Sequence, residues 1–309
     1  MLHSEPGGQA VKRVLVTGVD GFTGRYLAAA LREEGYEVHG IVRKARLAAE
    51  PHLHEADLAD RARLRAILKF VQPHYVVHLA AIAFVAHGDV DDLYKTNLLG
   101  TRNLLEAMVK SDVQFTSALI ASSANVYGNA ASGFLDESTP PAPSNDYGVS
   151  KLAMEHLARI YSEKLPIVIT RPFNYTGVGQ SENFLIPKIV SHVRRRAKVL
   201  ELGNLDVARD FSDVRSVVQY YTKLLDCPAA VGETFNVCSG AAYTLKEVLG
   251  LLLEKAKVSI EVKVNPAFVR ANEVKTLFGS NKKIVSVVGK VPEITLSETL
   301  SWMLEANGN

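Results

Sequence analysis

The sequence predicts an α/β fold, a doubly wound parallel sheet with a smaller C-terminal α/β lobe. Three observations carry this. Short apolar runs alternate with segments of helical apolar spacing from Arg13 to Thr170, the runs are continuously apolar as in strands covered on both faces, and a glycine turn joins the first run to the first helix. Arg13 to Thr17 (RVLVT) is a β-branched strand, and Phe22 to Glu34 is a helix. Tyr36 to Val42 makes the second strand, Asp60 to Phe70 a helix, and Tyr75 to Ala81 the third strand. A helix over Asp91 to Lys110 follows, then a strand Ser117 to Ala121, a helix Asp146 to Lys164 and a strand Pro166 to Thr170. Beyond Arg171 the rhythm changes to a loop, PFNYTGVGQSENF, and a basic helix around Lys188 to Lys198. The division expected is residues 1–172, with about 212–238 returning to that unit, against 173–309. No Pro/Ser linker separates the parts.

The 309 residues are 47% hydrophobic and 22% charged, which excludes disorder, collagen and coiled coil. A chain of this size closes a core without metals or disulfides. A net charge of +2 is too small to suggest nucleic acid as a partner. Cys227 and Cys238 have no zinc spacing, so no metal is expected, and they read as small buried hydrophobes. The N-terminal MLHSEPGGQAV has no charged-then-apolar leader pattern, and there is no apolar run of spanning length, so no membrane contact and a cytoplasmic location are expected.

Gly18, Gly21 and Gly24 form G-x-x-G-x-x-G between the first strand and helix. Without Cβ atoms the backbone turns tightly and approaches a diphosphate, whose charge the helix N-terminus favours. A dinucleotide is the ligand that fits. NAD-selective sites carry a carboxylate at the end of the second strand, but this one reads Ile41-Val42-Arg43-Lys44. A guanidinium at Arg43 suits a 2′-phosphate, favouring NADPH with NADH as the alternative; an ordinary surface arginine is the competing reading. Asp57 stands where it could reach the adenine amino group, or could cap the helix that follows.

Y-x-x-x-K occurs once, at Tyr147 and Lys151. On a helix this spacing stacks the side chains, and the ammonium should draw the phenol pKa toward neutrality. Ser122 and Ser123 follow a buried strand at the carboxyl end of the sheet, where Ser123 could hydrogen-bond a reacting oxygen.

With these residues in order, the chain resembles the extended short-chain dehydrogenase/reductases of the nucleotide-sugar branch, which are Rossmann-like. TGVDGFTG, HLAA, TNLLGT, SSANVYG, YGVSK, TRPFN and RDFSDVRS occur in family order from about Arg13 to Val218. The resemblance implies Ser123, Tyr147 and Lys151 as the catalytic triad. It implies cofactor contacts from Gly18, Gly21, Phe22, Thr23, Gly24, Arg43, Asp57, Leu58, Leu79, Ala80, Ala81, Tyr147 and Lys151, and an ordering role for Asn97. RPFNYTGVGQ, LGNLDVARDFSDVRSVV, FNVCSG and NPAFVRANEVKTLFGSNKK are most similar to GDP-6-deoxy-4-keto-D-mannose reductases. That likeness implies a GDP-linked 4-keto-6-deoxyhexose held by Ser123, Asn174, Lys188, Asn204, Arg209, Arg270 and Glu273. Plain alternatives remain: a solvated helix face for Lys188, a surface pair with Lys275 for Glu273, and a loop polar residue for Asn174.

Dehydratases of the branch carry an acidic residue two positions after the catalytic Ser/Thr, where this chain has Asn125, preceded by Ala124. Neither is a carboxylate base, which counts against 4,6-dehydration. The expected reaction is NADPH-dependent reduction of the C4 ketone to GDP-D-rhamnose or its C4 epimer, GDP-6-deoxy-D-talose. Dehydration of GDP-mannose, 4-epimerisation and a non-catalytic dinucleotide sensor are the alternatives. Helices 91–110 and 147–164 are the expected faces of a homodimer.

Overall fold

The structure is a computed structural model that describes residues 11–44, 52–83, 89–129, 133–268 and 274–306. In chain order the first part is β1 (Arg13–Thr17), α1 (Phe22–Glu33), β2 (Glu37–Val42), β3 (Leu53–Glu55), α2 (Arg61–Val71) and β4 (Tyr75–His78). Then α3 (Val90–Tyr94) runs through a π-helical stretch, Lys95–Gly100, into α4 (Thr101–Val109), followed by β5 (Ser117–Ala121), β6 (Gly133–Leu135), α5 (Asp146–Tyr161) and β7 (Ile167–Pro172). The remainder is β8 (Asn174–Thr176), α6 (Leu185–Arg194), β9 (Val199–Leu202), β10 (Ala208–Asp213), α7 (Val214–Leu225), β11 (Thr234–Val237), β12 (Ala242–Thr244), α8 (Leu245–Ala256), β13 (Glu261–Val264), β14 (Thr276–Gly279), α9 (Lys282–Val288) and α10 (Leu296–Glu305).

Among the described residues, seven parallel strands form the main sheet in the order β11-β7-β5-β4-β1-β2-β3. In β1, Val14 and Val16 face one core with Leu27 and Leu31 of α1 and Val217 and Leu224 of α7, while Leu15 faces the other with Leu64, Leu68 and Leu104. A period of two on a strand buried on both sides accounts for the continuous apolar run RVLVT. The winding reverses between β1 and β4, and the crevice outside their carboxyl ends is where such sheets bind ligands.

A second sheet, β12-β10-β14-β6 with β8 on β10, and the pair β13-β9 build the smaller lobe. Its core packs Ile189, Phe211, Leu249 and Leu300. Both sheets draw on both halves of the chain: β6 pairs with β14, and β11 pairs with β7.

Several elements differ from the sequence expectation. The strand β3 is not among the expected ones, because three residues with a histidine at the centre show no apolar run. The third strand of the expectation stops at His78 rather than Ala81, since the Ala80 N–H bonds the Thr17 hydroxyl (3.2 Å) instead of a neighbouring strand. The basic helix runs Leu185–Arg194 and stops short of Lys198, because Arg196 takes a φ of 50° that no right-handed helix continues. The helix expected over 91–110 carries the π-helical interruption at Lys95–Gly100. Of the two cysteines, Cys238 is buried as expected, whereas Cys227 is only half-buried at the end of α7.

Candidate active site

The glycine turn is shaped by its own backbone. Gly18 adopts φ +68°, and a Cβ there would lie 2.9 Å from the Ala80 nitrogen; a Cβ on Gly24 would collide with the Gly18 carbonyl oxygen. Gly21 is the N-cap of α1 and supplies no side-chain cap, and the first turn of the helix holds no acidic residue. The first N–H groups of the helix, those of Phe22 and Thr23, are therefore left without a built-in carboxylate, the electrostatics an anionic diphosphate needs. Arg43 and Lys44 stand exposed beyond the end of β2. Asp57 is exposed, and one carboxylate oxygen accepts from the Ala59 N–H at 2.7 Å. The cap of α2 is Asp60, which accepts from Arg63 N at 2.9 Å, so capping does not account for Asp57.

Leu79, Ala80 and Ala81 follow β4 and line the same crevice edge, half-buried, while Leu58 is buried against Gly100. A directed chain of hydrogen bonds sets this edge. Ala80 N–H donates to Thr17 Oγ1, which reaches His78 Nδ1 at 2.7 Å; His78 Nε2 reaches Thr101 Oγ1 at 2.9 Å, and that hydroxyl donates to the Asn97 carbonyl at 2.6 Å. Burial drops the His78 pKa to about 3, so the ring is neutral and relays one polarity through the chain. Asn97 lies in the π-helical stretch. Its amide clamps both backbone groups of Ile82 (2.8 and 3.1 Å) and donates to Ser150 Oγ at 3.1 Å, tying the loop after β4 to α5. A π segment at such a place is common near functional sites.

Ser123, Tyr147 and Lys151 come together at the carboxyl end of β5. Asn145 caps α5 through Gly148 N, which sets the helix so that Tyr147 and Lys151, four residues apart, face the sheet. Ser123 Oγ accepts from both Asn125 N and Asn125 Nδ2 at 3.1 Å each. With two donors on the oxygen, its own hydrogen is aimed away from them. Burial dominates the Tyr147 hydroxyl and pushes its pKa up to about 12, against the lowering effect of its hydrogen bond with Ser123. This corrects the sequence expectation of a phenol near neutrality. Lys151 Nζ sits 6.0 Å from the Tyr147 ring centre and donates to the Ala121 carbonyl at 2.8 Å, which fixes the ammonium at the strand end beside the phenol. Burial also lowers Lys151 from 10.5 to about 8, opposed by the charge of Glu155.

Beneath this group lies a network that sequence reasoning missed. Glu155, fully buried one turn beyond Lys151, accepts from Ser122 Oγ at 2.7 Å and from Arg171 through Nε (2.9 Å) and Nη2 (2.7 Å). Arg171 Nη1 donates to the Tyr127 hydroxyl at 3.0 Å, which donates to Asn236 Oδ1 at 2.7 Å on β11. Burial acts to raise the Glu155 pKa, but the hydrogen bonds and charge of Arg171 outweigh it and hold the carboxyl below its ordinary range. The only sequence signal is the TRPFN motif, which contains Arg171 without giving it a role. A second missed residue is Tyr175, whose hydroxyl bonds Thr23 Oγ1 at 2.8 Å and whose ring stacks on Phe22 at 6.2 Å, joining the smaller lobe to the glycine turn.

The more distant residues are brought together in part. Asn174 Nδ2 donates to the Asp210 carbonyl at 3.1 Å. Arg209 is half-buried, with Nη1 on the carbonyls of Ala208 and Val274 at 2.9 Å each. Lys188 Nζ lies 4.5 Å over the ring of Phe268 and donates to the Glu201 carbonyl at 3.2 Å. Asn204 Oδ1 accepts from Asp206 N at 3.1 Å, which organises its own loop. Arg270 and Glu273 lie outside the described residues.

Residues 15–303 match the family model for GDP-mannose 4,6 dehydratase. The chain belongs to that family. It is 35% identical to the GDP-6-deoxy-D-talose 4-dehydrogenase of Aggregatibacter actinomycetemcomitans, over 90% of this chain and 91% of that one. It is also 35% identical to the GDP-6-deoxy-D-mannose reductase of Pseudomonas aeruginosa, over 95% and 96% of the two chains. Among solved structures, a provisionally assigned epimerase from Burkholderia cenocepacia is 50% identical with a TM-score of 0.90, covering 96% of this chain and 98% of that chain. The Pseudomonas aeruginosa RMD complexed with NADPH is 32% identical with a TM-score of 0.83, covering 95% and 98%. With relatives named as a dehydrogenase and a reductase matched over 90% of the chain or more, the protein is an oxidoreductase of the extended short-chain dehydrogenase/reductase kind, with the Rossmann-like sheet expected of it. Among the described residues, no helix is long and apolar enough to cross a membrane.

Proposed function

We propose that the protein reduces the C4 keto group of a GDP-linked 6-deoxy-4-keto-hexose with NADPH, giving GDP-D-rhamnose or GDP-6-deoxy-D-talose. The observation that carries this is the meeting of Ser123, Tyr147 and Lys151 beside an uncapped helix N-terminus at the point where the sheet reverses its winding. The two 35%-identical relatives named for GDP-6-deoxyhexoses support the substrate class.

The turn at Gly18, Gly21 and Gly24, with the N–H groups of Phe22 and Thr23, would hold the diphosphate, Arg43 the 2′-phosphate, and Asp57 with Leu58 and Leu79 to Ala81 the adenosine and crevice wall. NADPH held there would supply the hydride for C4. Tyr147, protonated at neutral pH because burial raises its pKa, gives its proton to the developing alkoxide. Ser123, oriented by the two Asn125 donors, gives a second hydrogen bond to that oxygen. Lys151, fixed on the Ala121 carbonyl, places an ammonium beside the reacting centre and takes the cofactor ribose. Asn174, Lys188, Asn204, Arg209, Arg270 and Glu273 are assigned to the GDP moiety.

Asn125 supports reduction over dehydration. Its amide is committed as a donor to Ser123 Oγ, a role a carboxylate cannot fill. Asn125→Asp is expected to turn the Ser123 hydroxyl toward the new acceptor and to lower kcat toward the ~10²-fold loss seen when a direct oxyanion donor is removed. Steady-state kinetics on the keto sugar measure it, and an unchanged kcat would remove Asn125 from the mechanism. Arg43→Ala should weaken NADPH about tenfold and leave NADH nearly unchanged, read by fluorescence titration. Equal losses for both cofactors would contradict the assignment.

With Lys151 near 8, the ammonium is present below that pH and lost above it. The expected kcat/KM profile is therefore level through neutrality and falls above about pH 8. Exposed Val90, Leu99, Val149 and Ile160 on α3, the π stretch and α5 favour a homodimer through these helices.

The direct test is NADPH with GDP-6-deoxy-4-keto-mannose generated in situ. Loss of reduced cofactor with a C4 hydroxyl in the NMR spectrum supports the reading and settles the stereochemistry. No NADPH loss, with conversion of GDP-mannose itself, would replace it with a dehydratase or an epimerase.

A further inference from the structure

At the outer edge of the main sheet, away from the catalytic group, β2 and β3 bring together a cluster that neither strand shows alone. Glu37, His39 and Ile41 alternate onto one face of β2. The parallel register pairs Gly40 with Leu53 and Ile41 with His54, and Gly40 N bonds the His52 carbonyl at 2.8 Å, so His52 and His54 project on the same face beside His39. The His39 and His52 rings lie 4.6 Å apart, edge to face. His39 Nε2 lies 2.7 Å from Glu37 Oε1, and its Nδ1 lies 3.1 Å from His54 Nε2. One ligand atom from each of Glu37, His39 and His52 falls within 4.8 Å of the other two.

We propose that Glu37, His39 and His52 bind one first-row divalent transition cation, with Zn²⁺ the best fit, at the β2–β3 edge. The donor set is two imidazoles and one carboxylate, which selects zinc, cobalt, nickel or copper over magnesium and calcium. A tetrahedral ion with bonds of ~2.0–2.1 Å needs ligand atoms about 3.3 Å apart. The buried His39 is the fixed member, Glu37 is half-buried, and the exposed His52 ring closes the remaining distance by rotating about its side-chain bonds. The hydrogen bond that would orient the fixed ligand is already in place. A cation on His39 Nε2 takes the neutral ring in the tautomer that carries its single proton on Nδ1, where His54 Nε2, 3.1 Å away, is placed to accept it. Of the cations around the cluster, Arg13 acts on Glu37 and Arg63 on His54; neither belongs to the group of three ligand atoms.

The position argues for a structural role. Three inter-strand steps along β5-β4-β1-β2 separate this cluster from the strand that leads into Ser123, so about 14 Å of sheet lies between the ion and the chemistry. The ion would pin β3, an edge strand of three residues, to β2 just ahead of the Asp57 turn.

The test uses tag-free full-length protein stripped with EDTA and titrated with Co²⁺, then Zn²⁺. One Co²⁺ per chain, bound with proton release and visible d–d absorption and then displaced by one Zn²⁺, is the expected result. His52→Ala, at an exposed position that leaves the fold intact by circular dichroism, should weaken Zn²⁺ at least tenfold, whereas His156→Ala, an exposed histidine on α5, should not. Glu37→Gln should weaken it as well. Stoichiometry well below one, or undiminished affinity in His52→Ala, overturns the site.

Discussion

Tyr147→Phe is expected to lower kcat by about 10²–10⁴-fold while leaving NADPH affinity within a few-fold of the parent. The phenol is buried and protonated at neutral pH, and its loss leaves the developing alkoxide to find a proton from water that no side chain has positioned. The ring stays, so the packing against the neighbouring strand end is kept. Stopped-flow single turnover isolates hydride transfer from product release, and fluorescence titration reads the cofactor. Retention of more than a tenth of the parent rate would take the acid role from Tyr147. A Lys151→Met variant separates the two groups: it should remove the fall above pH 8 along with much of the activity, because the lysine is the group titrating there.

The second large effect concerns stability. Arg171→Leu leaves Glu155, with no exposed surface, without the two bonds that keep it ionised, and is expected to cost about 3–5 kcal/mol of unfolding free energy. Arg159, whose Nη2 is 3.1 Å from Glu155, lies half in solvent and recovers only part of this. The loss should be greatest at high pH and shrink as the pH falls, because Glu155 can take up a proton where Arg171 no longer holds its pKa down. The double variant Glu155→Met/Arg171→Leu should be markedly less destabilised than Arg171→Leu alone, since no orphan charge remains. Urea denaturation across pH measures both. Equal destabilisation of single and double variants would show that packing, not charge, sets the cost.

What is local or strictly periodic is legible in the sequence. The glycine turn announces itself because three missing Cβ atoms fall in one loop, and Tyr147 and Lys151 announce themselves because helical spacing needs no tertiary knowledge. The features that stay hidden depend on partners far along the chain. Glu155 is one more charged residue on a helix until Arg171 arrives from β7, and Tyr175 is a loop aromatic until Thr23 meets it. The π-helical stretch at Lys95–Gly100 leaves the apolar spacing unbroken, so the pattern predicts a plain helix. The two readings of Asp57, adenine contact or helix cap, separate only once it is seen that Asp60 is the carboxylate that reaches Arg63 N. The phenol pKa goes the other way for the same reason: spacing shows that Lys151 is near Tyr147, but not how completely the fold buries the phenol.

The crossing of β6 and β11 into each other's halves of the chain has a consequence for how this molecule can be taken apart. A fragment ending at residue 172 keeps the glycine turn and all three reacting side chains, yet lacks the strand that covers β7 and the Asn236 amide that ends the polar network. It would expose a long parallel edge to any other chain in solution. The remaining fragment would lose the strand that closes its own sheet beyond β14. Neither half is a transferable module, so exchange of substrate lobes between relatives by a single splice is expected to yield insoluble protein, and grafting has to proceed loop by loop.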